Sequence, residues 1–235
     1  MSKHYLILGG STGIGKALSE NLTAQGHHVT VASRSASSRM ESDNLLSVHD
    51  IDATNAEADW SFLPEKLDGV AYLGGSINLK PFHRLKNEDF LADFQVNLIG
   101  AVNTIQAALP AMKKSEGASI VLFSTVAVQR GLTFHASVAA AKGAVEGLTR
   151  ALSAELAPSI RVNAVALSLT DTPMAEKLLS NDTKREAADQ RHALKRHGKP
   201  QDIAEMAAFL LGDKSSWITG QIIGVDGGMG TVQNL

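Results

Sequence analysis

Short apolar runs alternate along this chain with longer stretches whose apolar residues recur every three or four positions. The first run, Leu6 to Leu8, breaks off in a cluster of small residues, Gly9-Gly10-Ser11-Thr12-Gly13-Ile14-Gly15. Ile14, Ala17, Leu18 and Leu22 then fall at helical spacing until Gly26 stops the pattern, so the opening reads strand, tight turn, helix. Further strands are predicted at Val29 to Ala32, Leu45 to His49, Val70 to Leu73, Ala118 to Phe123, Ile160 to Ala166 and Gln221 to Val225. A long helix is predicted over Asn87 to Met112, striped by Phe90, Leu91, Phe94, Leu98, Ala101, Val102, Ile105 and Leu109. A second runs from Ala136 to Ala157, with Val138, Ala141, Val145, Leu148 and Leu152 on its buried face and Pro158 ending it. Pro200 opens a third, whose apolar residues are Ile203, Ala207, Leu210 and Leu211. Residues 35–44 are polar and show no stripe. Residues 168–199 are rich in charge around Met174, Leu178 and Leu179, and read as a mobile lid.

Strands that alternate with helices close, through right-handed crossovers, into a doubly wound sheet. The fold predicted is α/β, Rossmann-like, with a mostly parallel seven-stranded sheet and helices on both faces. No repeat or linker divides residues 1–235, which are read as one domain. The chain holds 22 basic and 24 acidic residues for a net charge of −2, which gives no footprint for nucleic acid. It has no cysteine, which excludes thiolate chemistry and cysteine metal sites, and its eight scattered histidines show no ligand spacing, so no metal is expected. No apolar run is long enough to span a membrane, and the first strand begins too early for a signal peptide. A cytoplasmic protein with a small-molecule substrate is expected.

The opening turn carries the strongest chemical signal. Gly9, Gly13 and Gly15 suit a sharp turn and the close approach of a phosphate. The free N–H groups and dipole of the following helix favour a pyrophosphate over Ser11, Thr12, Gly13, Ile14 and Gly15. At the end of the second strand, where an acid would hold the ribose of NAD, stands Ser33-Arg34-Ser35. Arg34 suits a 2′-phosphate, the alternative being a solvated surface arginine. Asp52 either meets an adenine amino group or caps a turn. Asn97 lies inside a helix, where an amide needs partners. Ser124 and Thr125 end a strand and face the ligand crevice.

Together these segments resemble the short-chain dehydrogenase/reductase family over nearly the whole chain. The resemblance is carried by Gly9 to Gly15, by Asp52-Ala53-Thr54, by Val96-Asn97-Leu98-Ile99-Gly100, and by Ala141-Lys142-Gly143-Ala144-Val145-Glu146-Gly147. It continues in Ile160-Arg161-Val162-Asn163-Ala164-Val165, Trp217-Ile218-Thr219-Gly220 and Val225-Asp226-Gly227-Gly228. It implies hydride transfer with NADP(H), and a homodimer or homotetramer. The small residues Ala139, Ala140, Gly143, Ala144 and Gly147 permit close packing within the fold or against a second copy. It also implies that Gly74 and Gly75 border the cofactor, that Thr170 and Thr172 meet the nicotinamide amide, and that Asn97, Thr125 and Lys142 serve the reacting centre.

The family's acid is a tyrosine four residues before the lysine; here that place holds Val138. The chain has two tyrosines, Tyr5 and Tyr72, and neither lies on this helix. His135, Lys142 and Tyr72 are the candidate substitutes, although Tyr72 fits better as a wall of the adenosine or substrate pocket. Ser124 stands in reserve for Thr125. The expected function is an NADP(H)-dependent oxidoreductase for a small carbonyl, alcohol or activated alkene with a non-tyrosine proton donor. The alternatives are non-redox chemistry of the isomerase or lyase kind, or a non-catalytic NADP-binding subunit.

Overall fold

In the computed structural model, which describes residues 2–232, the apolar runs form β1 (His4–Leu8), β2 (His28–Ser33), β3 (Leu46–Asp50), β4 (Gly69–Tyr72), β5 (Ala118–Thr125), β6 (Ile160–Leu167) and β7 (Ile222–Val225). They pair in parallel in the order β3-β2-β1-β4-β5-β6-β7. The direction of winding reverses between β1 and β4, and the crevice of such a sheet opens where the strands' carboxyl ends part. The helices are α1 (Gly13–Ala24), α2 (Asn87–Phe94), α3 (Gly100–Met112), α4 (Ala127–Arg130), α5 (Ala136–Leu156), α6 (Asp182–Arg191) and α7 (Pro200–Leu211).

Alternation along each strand divides the core. Tyr5 and Ile7 join Leu18 and Leu22 of α1 and Ile203 and Leu210 of α7 on one face. Leu6 and Leu8 join Ile105 of α3 and Val145 of α5 on the other. A sheet buried on both faces needs unbroken apolar strands, which is why these runs show no polar alternation.

The predicted helix over Asn87 to Met112 is interrupted. Residues Gln95–Ile99 form a π-helical turn between α2 and α3. The insertion changes which residues face inward. Leu91, expected in the buried stripe, is 68% exposed, while Asp93 and Asn97 are each 1% exposed. Inward polar groups must find partners, and these two find Ser76 and backbone, as described below.

Tyr72 also departs from expectation. Its ring is buried, and its hydroxyl donates to the carbonyl of Val96 at 2.6 Å. A methyl at Gly100 would lie 2.1 Å from the phenol oxygen, and one at Gly74 2.3 Å from it. Both glycines therefore make the phenol's seat. Tyr72 is a wedge between β4 and the π turn rather than a pocket wall, and burial raises its pKa.

The 168–199 segment contains more regular structure than its composition suggests. A 3-10 helix spans Pro173–Leu178, and α6 follows, capped at its N-terminus by the Asn181 side chain. Asp171 N donates to the carbonyl of Gly198 and Gly198 N to that of Leu169, both at 2.9 Å, so the excursion is pinched at its base. Arg185 pairs with Asp171 at 2.7 Å across it.

Gly100→Ala should destabilise the fold by ~1–3 kcal/mol through overpacking. Tyr72→Phe should cost ~1 kcal/mol by removing the hydrogen bond to the Val96 carbonyl. In the double variant the clashing oxygen is gone, so the two losses should sum to less than their separate values; denaturant titration of all four proteins checks this.

Candidate active site

The first turn is set by contacts too close for side chains. A Cβ on Gly15 would lie 2.2 Å from the carbonyl oxygen of Gly9, and Gly9 and Gly13 have φ of +81° and +51°. Helix α1 can therefore start directly above the turn. Its N-cap residue Thr12 makes no side-chain cap, so the first N–H groups of α1 have no partner within the helix. Such a cradle fits a dinucleotide's diphosphate. Thr172 packs its methyl against the bare face of Gly13, 3.1 Å from where a Cβ would be. The segment after β6 thus lies directly across from the turn.

Between them opens a cleft of about 340 Å³. Eleven of the predicted site residues line it: Gly9, Thr12, Gly13, Ile14, Gly15, Gly75, Thr125, His135, Lys142, Thr170 and Thr172. Its apolar walls include Ile77, Leu79, Leu132, Val138, Met174 and Met229. Apolar lining with a few placed polar groups is the usual character of a small-molecule site.

The remaining predicted residues lie outside this lining. Ser11 is buried, and its hydroxyl meets that of Ser33 at 2.9 Å, tying the turn to the end of β2. Arg34, next in line, is exposed and has no ion-pair partner among the described residues. Ser35 follows it, half-buried. Asp52 accepts from the N–H and hydroxyl of its own neighbour Thr54, at 2.9 and 2.7 Å. These bonds lower its pKa and make it a turn cap. Ala53 is buried, and its carbonyl accepts from Asn103. Gly74 accommodates Tyr72.

Lys142 projects from α5, and its ammonium is enclosed and donates to the carbonyl of Phe123 at 2.8 Å. Burial draws its pKa down to about 8, with the nearby Asp93 acting in the opposite direction. Val138, one helical turn earlier, is buried and lines the same cleft. His135 immediately precedes α5, its Nδ1 2.7 Å from the carbonyl of Thr133. A proton on Nδ1 makes that bond and leaves Nε2 to act as a base, or as an acid once protonated. Phe134, just before it, has φ of +69°, a strained conformation for a bulky residue. Ser124 also borders the cleft, while its hydroxyl donates to Glu146 inside the fold at 2.8 Å.

Asn97 sits behind the cleft. Its amide donates to Ser76 Oγ at 2.9 Å and to the carbonyl of Asp93 at 2.8 Å. Ser76 in turn donates to Asp93 at 2.6 Å. Neither Ser76 nor Asp93 stood out in the sequence, although Asp93 lies one helical turn before Asn97, which is a usable signal. The same holds for Ser168 and His192. They are buried and hydrogen-bonded at 2.9 Å, with His192 Nδ1 2.7 Å from the carbonyl of Ala188, and they join β6 to the end of α6. Among the described residues no three acidic or histidine side chains are grouped to hold a metal, and no helix is long and apolar enough to cross a membrane.

Comparison with known proteins places this geometry in a family. Residues 9–230 match the family model described as enoyl-(acyl carrier protein) reductase. The chain is 44% identical over 147 residues to the 3-oxoacyl-[acyl-carrier-protein] reductase FabG of Thermotoga maritima, covering 62% of this chain and 59% of that protein. It is 32% identical to L-xylulose reductase of Bos taurus, over 95% of this chain and 94% of the other. Among solved structures, the aldohexose dehydrogenase of Thermoplasma acidophilum superposes with a TM-score of 0.88 at 26% identity, covering all of this chain and 96% of that one. ElxO with NADP bound superposes at 0.87 and 26%, over 97% and 99% of the two chains. The chain belongs to the short-chain dehydrogenase/reductase family of NAD(P)-dependent oxidoreductases.

Proposed function

We propose that the chain is an NADP(H)-dependent oxidoreductase acting on a small carbonyl, alcohol or activated alkene, with Lys142 in place of a tyrosine as proton donor. One observation carries the reading. The Lys142 ammonium is enclosed in a cleft whose wall at position 138 is apolar, while both tyrosines are buried outside that cleft.

The turn from Gly9 to Gly15 would hold the diphosphate, and Ser33, Arg34 and Ser35 the 2′-phosphate. Arg34 is exposed and unpaired among the described residues, which supports this, since a guanidinium engaged by a carboxylate of its own chain would be unavailable. Asp52, Ala53 and Gly75 would border the adenosine, with Gly74 behind them. Thr170 and Thr172 would meet the nicotinamide amide. Bound NADP(H) supplies or accepts the hydride. The protein's own task is to hold the substrate carbon in line and to manage the proton at its oxygen. Thr125 holds that oxygen by a hydrogen bond. Lys142 gives it a proton as negative charge gathers there, and Asn97 orders the polar groups behind the lysine. His135 borders the same cleft as a second acid.

A cytoplasmic homodimer or homotetramer acting on small molecules, with no nucleic-acid partner, completes the proposal. Two features support self-association. A methyl at Gly147 on α5 would meet nothing within 4 Å, and Trp217 is 99% exposed.

In a fluorescence titration Arg34→Ala should weaken NADPH binding about ten- to a hundredfold, the worth of one charge-assisted contact of ~1.5–3 kcal/mol, and leave NADH binding nearly unchanged. Equal losses for both would remove the 2′-phosphate assignment.

Lys142→Met should lower NADPH oxidation with the best of a panel of ketones and enones by about 10²–10⁴. The donor must be protonated to act, so carbonyl reduction should be level at low pH and fall as pH rises through about 8. Oxidation of the alcohol needs the neutral amine and should show the opposite limb. Tight NADPH binding with no turnover of any panel member would favour the non-redox reading.

A further inference from the structure

The carboxylate of Asp93 has no evident structural task. It is 1% exposed, on the inward side of α2. Its Oδ1 accepts from Ser76, and its Oδ2 has no partner among the described residues. Asn97 Oδ1, one turn further, is likewise without a partner. Both belong to the cluster behind Lys142. A methyl on Gly75 would lie 3.4 Å from Asn97 Oδ1 and 3.7 Å from Lys142 Nζ, so the bare glycine lets the amide and the ammonium border one space. The ammonium has three N–H groups and, among the described residues, one acceptor, the carbonyl of Phe123.

A buried carboxylate left without a counter-charge costs several kcal/mol. Of the other charged groups on α5 and the elements packed against it, Glu88 of α2 and Glu155 of α5 are exposed to solvent, and the rest are engaged elsewhere. Asp89 of α2 is held by Lys80 and the backbone of Lys86. Arg130 of α4 donates to the carbonyl of Met229. Arg161 of β6 binds the carbonyls of Leu210 and Gly212. Glu146, on α5 itself, takes Ser124 and Arg150. His135 borders the cleft and faces the Thr133 carbonyl. Asp93 and Lys142 make no direct ion pair, and each is left as the buried opposite charge that acts on the other across Ser76 and Asn97.

We propose that Asp93 is a positioning residue that keeps Lys142 protonated, with Ser76 and Asn97 as the fixed polar bridge between them. The inference rests on the reading of Lys142 as proton donor. In a cleft with a phenol, the lysine need only supply a charge; here it must also carry the proton that is transferred. When an N–H bond of Lys142 breaks, its electron pair stays on nitrogen and the proton bonds to the substrate oxygen. A neutral amine results, and the carboxylate beyond Ser76 and Asn97 favours its recharging from solvent. Without that carboxylate, burial alone would leave less of the lysine in its donating form.

The test reads Lys142 directly, in protein free of cofactor, from the pH dependence of its side-chain ¹³Cε and ¹⁵Nζ signals, assigned with Lys142→Arg. Asp93→Asn keeps the shape and the bond from Ser76 but removes the charge. Its Lys142 midpoint should fall, by up to about one pH unit for an opposite charge acting through a polar bridge. Asp93→Glu, which restores the charge, should return the midpoint to near the parent's. The falling limb of carbonyl reduction should move down in Asp93→Asn by the same amount. An unmoved Lys142 midpoint in folded Asp93→Asn would overturn the proposal. Should that variant not fold alone, a thermal-melt cycle decides. Lys142→Met strands the carboxylate and should lower Tm, and adding Asp93→Asn should recover part of the loss. A double variant no more stable than Lys142→Met would refute the pairing. Full activity in Lys142→Met would instead defeat the donor assignment, and the cofactor-free midpoint separates the two failures.

Discussion

The distance between the carbonyl of Gly9 and the backbone of Gly15 governs the rest of the molecule. That approach admits no side chain. It places the start of α1 over the end of β1, so unpaired N–H groups face the edge where the strand ends gather. Because the sheet is parallel, the loops after β4, β5 and β6 reach the same edge. A single tight backbone contact thus assigns the phosphate side of the cleft, and sheet topology brings the reacting side to it.

The cleft is floored by polar groups that the apolar pattern conceals. Asp93, Asn97 and Ser76 form a connected set behind Gly75, where a parallel sheet would ordinarily be backed by hydrocarbon. The π-helical turn over Gln95–Ile99 makes this possible. It turns the amide and the carboxylate inward at the cost of exposing Leu91, a trade consistent with π turns occurring at functional sites. The turn is secured on its other side by Tyr72, whose hydroxyl holds the Val96 carbonyl.

Much of the architecture was legible because its signals are local. Apolar runs, helical stripes, Pro200 and the first glycine cluster each depend on a few neighbouring residues, and the elements they predict are present with end shifts of at most two residues. What escaped depends on contacts between distant segments. The periodicity of Asn87 to Met112 is continuous on paper, and an insertion of one residue's phase in the helix leaves no mark in it. Tyr72 could be placed only once Gly100 and Gly74 were seen to make room for its phenol. The charge-rich stretch from 168 to 199 concealed α6, a helix that buries Ala188 alone and so carries no apolar stripe to announce it.

The pinch between Leu169, Asp171 and Gly198 bears on how such a cleft can diversify. Everything between its two ends hangs from the sheet as a closed excursion, and it supplies Met174, Leu178, Arg191 and His192 to the cleft. Lengthening, shortening or recomposing that excursion alters the shape offered to a ligand without moving the ends of β6 or the glycine turn. The scaffold thereby separates the part that tolerates change from the part that does not.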